Sequence, residues 1–189
     1  MKIAVVGDHY ASYIKADYNH GIKGCPAWDI ELKETVEDLI HQDFDKIYLS
    51  CGFPLMGFKK HDEAIGASAR IDSFIAYDES ERGFYSCSNW RKIIKDESTV
   101  AMLWAAWRRA VDDLYGMSEN IWILPIALYW YELRIKEKIP RIYADFGAKY
   151  SRWVNVPAVI QGDKFKFQSR YGRLTPETVK EFEEVLNNG

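Results

Sequence analysis

The sequence predicts an α/β domain with a mainly parallel, Rossmann-like sheet flanked by helices and closed by a C-terminal β-hairpin and helix. Three observations carry this. Residues 3–6 (Ile-Ala-Val-Val) are a short continuous apolar run ending in Gly7-Asp8, the pattern of a strand buried on both faces. The first fifty residues read as alternating strands and helices, which implies parallel pairing through crossovers. A long amphipathic helix is written over residues 98–116. The 189 residues fit one domain, with no repeat, low-complexity tract or internal boundary.

Element by element, the strand over residues 3–6 is followed by a short helix within residues 10–20, stopped by Gly21. Gly24-Cys25-Pro26 breaks the chain, and residues 28–32 alternate as a second strand. Val36, Leu39 and Ile40 stand at helical spacing, with Asp43 and Asp45 near the exit, and residues 47–50 form a third strand. Residues 64–76 are expected to be helical, and residues 78–97 a surface connection. Ser98 is placed to cap the next helix, whose stripe is Val100, Leu103, Trp104, Trp107, Val111 and Leu114. Arg108, Arg109, Asp112 and Asp113 take its polar face.

Residues 121–124 predict a fourth strand, and Pro125 fits the first position of a helix reaching about Lys138. Residues 154–160, the Gly162-Asp163 turn and the alternating residues 164–171 carry the hairpin signal. Thr175-Pro176-Glu177 opens a last helix bearing Val179, Phe182 and Leu186.

An aromatic content of 15%, with seven Trp and twelve Tyr, points first to a thick aromatic core. A net charge of −3 argues against coating nucleic acid or anionic membrane by bulk electrostatics. Cys25, Cys51 and Cys87 make no C-x-x-C pair, so the local sequence encodes neither a zinc knuckle nor a two-cysteine redox site. The first residues lack a signal peptide's apolar region, and the longest apolar run, residues 121–131, is broken by Pro125. A cytoplasmic protein without a membrane partner is the expectation.

Residues 46–62 are the most informative stretch: a buried strand, a glycine-punctuated loop, then Lys59 and Lys60. Gly52 and Gly57 keep the glycine spacing of a G-x-x-x-x-G-K-[ST] phosphate loop, which the segment resembles. Phe58 stands where that loop has its lysine, and neither lysine is followed by Ser or Thr. The loop also follows the third strand, not the first, so nucleoside triphosphate hydrolysis is not expected. What survives is an anion cradle: loop amides of Gly52 and Gly57 with the Lys59 and Lys60 ammonium groups.

Ligands of open parallel sheets bind beyond the carboxyl ends of the strands, where strand order reverses. The first strand delivers Gly7, Asp8, His9 and Tyr10 there, and the third delivers Ser50, Cys51 and Gly52. Asp8 and His9 are the candidate acid–base residues, and Tyr10 and Tyr13 candidates to stack on a base. A metal held by Asp8, His9, Asp17 and His20 is a weaker reading, since no D-x-H order is present, and no metal is assigned. Cys51 as a nucleophile competes with its more common role as buried filler.

The expected ligand is a nucleotide, nucleoside or similar phosphorylated small molecule. As an enzyme the chain would be a cofactor-free transferase or hydrolase acting at a glycosidic or phosphate bond. Two other classes stay open: a sensing protein that binds without turnover, and a nucleic-acid-associated protein using residues 138–173. That segment holds eight basic side chains against two acids, with Lys164, Lys166 and Arg170 on one strand face. The order Val156-Pro157-Ala158-Val159-Ile160, hairpin, helix is also similar to the closing half of a thioredoxin-like domain. That resemblance implies a cis proline before a strand and a redox end at Cys25-Pro26, where the partner position is Trp28.

Overall fold

A computed structural model describes residues 1–21, 27, 30–51, 97–129, 147–159 and 174–188. Its centre is a four-stranded sheet, β1 (Ile3–Gly7), β2 (Tyr18–Gly21), β3 (Lys46–Ser50) and β4 (Ile121–Ile123), in the order β2-β1-β3-β4. Every pairing is parallel. All five residues of β1 are buried, as are Ile47, Tyr48, Leu49 and Ser50 of β3. Strands buried on both faces need covering layers on both sides, which is the α/β arrangement the continuous apolar runs predict.

Helix α1 (Ile30–Ile40) packs on β1 through Leu32, Val36 and Leu39. Helix α2 (Glu97–Gly116) packs on β4 and buries Trp107, Val111 and Leu114, while Arg108, Arg109 and Asp113 face outward. Only the backbone of α2 is described at Val100, Leu103 and Trp104. Residues 126–129 are helical directly after Pro125. A single turn, α3 (Val156–Val159), precedes α4 (Pro176–Asn188), which buries Thr178, Phe182 and Leu186. Thr175 caps α4: its Oγ1 accepts the Thr178 N–H at 3.2 Å, and Pro176 needs no partner at the first position. The Tyr48 hydroxyl donates to the Leu186 carbonyl at 3.3 Å and ties α4 to the sheet. Trp107, Tyr10 and Phe182 are among the largest fully buried side chains, so the aromatic content does build core.

Four expectations are corrected. The helix expected within residues 10–20 is a 3-10 turn, Ala11–Tyr13, followed by strand β2. The polar quartet Tyr-Asn-His-Gly forms a strand because β1 offers it a ladder, from Ala4↔Tyr18 to Gly7↔Gly21, with Asp17 taking the Ile3 N–H at 2.8 Å. The strand expected over residues 28–32 overlaps the start of α1; Ile30 is 65% exposed and Leu32 0%, as two helical positions 200° apart require. Ser98 lies inside the first turn of α2, which begins a residue earlier. Residues 154–159 are not a strand: among the described residues of this segment the bridge to Ile123 is made by Trp153, and Val156–Val159 coil into α3. The described chain has no cis peptide bond, so the thioredoxin-like proline is not reproduced. The remaining hairpin residues, the expected helix over residues 64–76 and residues 78–96 lie outside the described residues.

Gly7 sets the closeness of β1 and β3. It has φ of 127°, and a β-carbon built there would lie 2.0 Å from the Ser50 carbonyl oxygen. Gly7→Ala is expected to cost about 2–4 kcal/mol by combining backbone strain with overpacking. Gly116→Ala is the control, because a β-carbon there meets nothing within 4 Å. Denaturant midpoints should fall for the first variant and hold or rise for the second; equal effects would contradict this account of the strand contact.

Candidate functional site

The order β2-β1-β3-β4 reverses between β1 and β3, and the carboxyl ends of strands at such a point are where open parallel sheets bind ligands. Gly7 pairs with Ser50 in register there, and Asp8 is the next residue. Its N–H donates to the Ser50 carbonyl at 3.1 Å, continuing the ladder by one bond. Its side chain is fully buried. Oδ1 accepts the Tyr10 N–H at 2.9 Å and the Ser50 hydroxyl at 2.7 Å. Oδ2 is buried with no hydrogen-bond partner among the described residues.

Burial raises the Asp8 carboxyl to about 7, even though the hydrogen bonds from Ser50 and Tyr10 and the nearby Ala11 N–H pull it down. Desolvation therefore outweighs three donors. Asp8 is a carboxylic acid that shares its proton near neutral pH, the property a general acid or base needs.

The other candidates divide. His9 is half-buried, its ring 4.1 Å from that of Tyr10 and 6.1 Å from that of Tyr13. Tyr10 is buried in the core, and burial with the nearby Asp8 pushes its hydroxyl well up. Tyr13 is half-exposed and packs against the margin of the core. Cys51 is buried and donates weakly to the Leu49 carbonyl at 3.5 Å; burial and Asp8 push its thiol well up. Such a thiol is packing material, not a thiolate nucleophile. Gly52, Gly57, Lys59 and Lys60 lie outside the described residues.

Asp17 and His20 are turned away from Asp8: Asp17 binds the start of β1, and His20 pairs with Glu31 at 3.2 Å. Among the described residues no three His, Cys, Asp or Glu side chains gather to hold a metal. Asn19 is a residue the sequence reading missed. Its Nδ2 donates to the Ala11 and Ile14 carbonyls, pinning the turn that follows Asp8, and nothing in its neighbours marks it in advance.

Two of the eight basic residues in 138–173 fall among the described side chains, and both serve the fold. Lys149 binds Asp112 at 2.6 Å. Arg152 donates Nε to the Ile121 carbonyl at 3.0 Å and lies 4.2 Å from the Tyr115 ring centre. No described helix is long and apolar enough to cross a membrane.

Comparison with known proteins finds no matching family model, curated protein or solved structure. The functional reading therefore rests on the chain's own geometry.

The Asp8 shift makes a signed prediction. A carboxyl raised in the folded state favours folding fully below its unfolded value near 3.8 and loses that contribution as pH rises to about 7. Three pH units correspond to an upper bound of about 4 kcal/mol. Wild type should therefore lose stability relative to Asp8→Asn between pH 4 and pH 8. Urea denaturation of both proteins across that range checks it; a difference that stays flat, or runs the other way, would contradict a raised Asp8.

Proposed function

We propose that the chain binds a nucleotide, nucleoside or similar phosphorylated small molecule across the carboxyl ends of β1 and β3, in a Rossmann-like manner. We further propose that Asp8 exchanges a proton with it. The reading is supported above all by one observation: a fully buried carboxyl, raised to about 7, lies where strand order reverses. Burying an ionisable group there costs stability, and such costs are characteristic of working sites.

The chemistry that fits is cofactor-free transfer or hydrolysis at a glycosidic or phosphate bond. Protonated Asp8 would donate to the leaving atom as its bond to the ligand breaks. The attacking hydroxyl or water would return a proton to the carboxylate. His9, beside Asp8 in sequence, is the second acid–base candidate. Lys59, Lys60 and the amides of Gly52 and Gly57 would neutralise the ligand's anionic group.

A thermal-shift panel of nucleotides, nucleosides and sugar phosphates tests the reading. A true ligand at 100 times its Kd adds about 2.7 kcal/mol to stability, a rise of several degrees. Lys59→Ala and Lys60→Ala should weaken phosphorylated ligands more than nucleosides. Chromatography of the incubated ligand then separates turnover from sensing: an intact ligand despite tight binding removes the enzyme reading. No shift with any member of the panel removes the ligand class altogether.

A further inference from the structure

We infer that Ser50 is a positioning residue for Asp8: it fixes Oδ1, so that the exchangeable proton is carried by Oδ2. The sequence places Ser50 among ligand-contacting residues, but its hydroxyl is turned inward. Ser50 is fully buried, and its Oγ donates to Asp8 Oδ1 at 2.7 Å. The Tyr10 N–H donates to the same oxygen at 2.9 Å. A carboxyl oxygen has two lone pairs, and both on Oδ1 are engaged. Oδ2 is buried and without a partner among the described residues. In the neutral acid the proton therefore sits on Oδ2, which is then the donor available for transfer.

Residue 50 grips residue 8 twice, since the Asp8 N–H also donates to the Ser50 carbonyl at 3.1 Å. The carboxyl can neither swing away nor exchange its two oxygens without breaking the Ser50 and Tyr10 bonds. Pre-set orientation of this kind is what a positioning residue contributes to proton transfer. The Asp8 charge pushes the nearby Tyr10 hydroxyl and Cys51 thiol further up, both already held neutral by burial, and the His9 ring lies against Tyr10. The Ser50 hydroxyl is thus the side-chain donor that favours ionised over neutral Asp8.

This inference rests on Asp8 as the proton-exchanging group, and it is tested on the full ligand-free chain. Carbon-13 NMR of aspartate-labelled protein follows the Asp8 carboxyl, assigned by its loss in Asp8→Asn. Ser50→Ala and Ser50→Cys should raise the Asp8 midpoint by about one pH unit. Ser50→Thr, which keeps the hydroxyl, should restore it. A role confined to packing would lower stability and leave the midpoint where it was, overturning the inference. Wild type supplies a readout independent of any variant's folding: the Ser50 β-carbon shift should titrate with the Asp8 midpoint, and a pH-silent Ser50 beside a titrating Asp8 would overturn it equally. A positive ligand screen with an unmoved midpoint would remove Ser50's role and leave the ligand reading intact; the reverse pair of results would do the opposite.

Discussion

Close backbone contact between the ends of β1 and β3 is the constraint from which the site follows. Gly7, at φ of 127°, leaves no room for a β-carbon beside the Ser50 carbonyl, and the Asp8 N–H reaches the same carbonyl. A side chain at position 7 would force the strands apart and expose the residue that follows. Because it is glycine, Asp8 is drawn under the Ala11–Tyr13 turn and sealed there, with Asn19 fastening the turn from β2. The close approach of β1 to β3 and the burial of Asp8 are thus coupled through a single glycine.

Electrostatics at this edge are set by desolvation. The Ser50 and Tyr10 hydrogen bonds and the nearby Ala11 N–H favour the Asp8 carboxylate, yet burial still carries the group to about 7. The surface shows the contrary balance at Asp112. Burial there opposes the charge, but hydrogen bonds from Lys149 and Tyr150, with the Lys149 charge, hold the group below the usual carboxylate range. Among the described residues, solvent and a lysine are at hand for Asp112 and not for Asp8. A fold selected only for stability would place an apolar or amide side chain at position 8.

The sequence made the sheet's buried strands legible and its margins obscure. β1 and β3 were readable because strands covered on both faces must be apolar throughout. β2 was not, because Tyr18–Gly21 is polar and half-exposed, and its identity as a strand comes from pairing with β1. Ile30 and Leu32 misled because one helical turn, sampled at two residues, looks the same as strand alternation. Val156–Val159 misled because a short apolar run has no period. At the site, Gly7 and Asp8 were legible from the end of an apolar run. The burial of Tyr10 and the inward turn of the Ser50 hydroxyl were not. Both depend on contacts made across the fold, and Ser50 lies 42 residues from its partner Asp8.

The central claim is that the buried Asp8 carboxyl at the β1/β3 edge exchanges its proton near pH 7. Infrared pH-difference spectroscopy of wild type against Asp8→Asn observes that group directly, since a protonated carboxyl and a carboxylate absorb in separate bands. The account predicts a protonated-carboxyl band, missing in the variant, that disappears with a midpoint near 7. Disappearance in the ordinary carboxylate range, about pH 4, would contradict it.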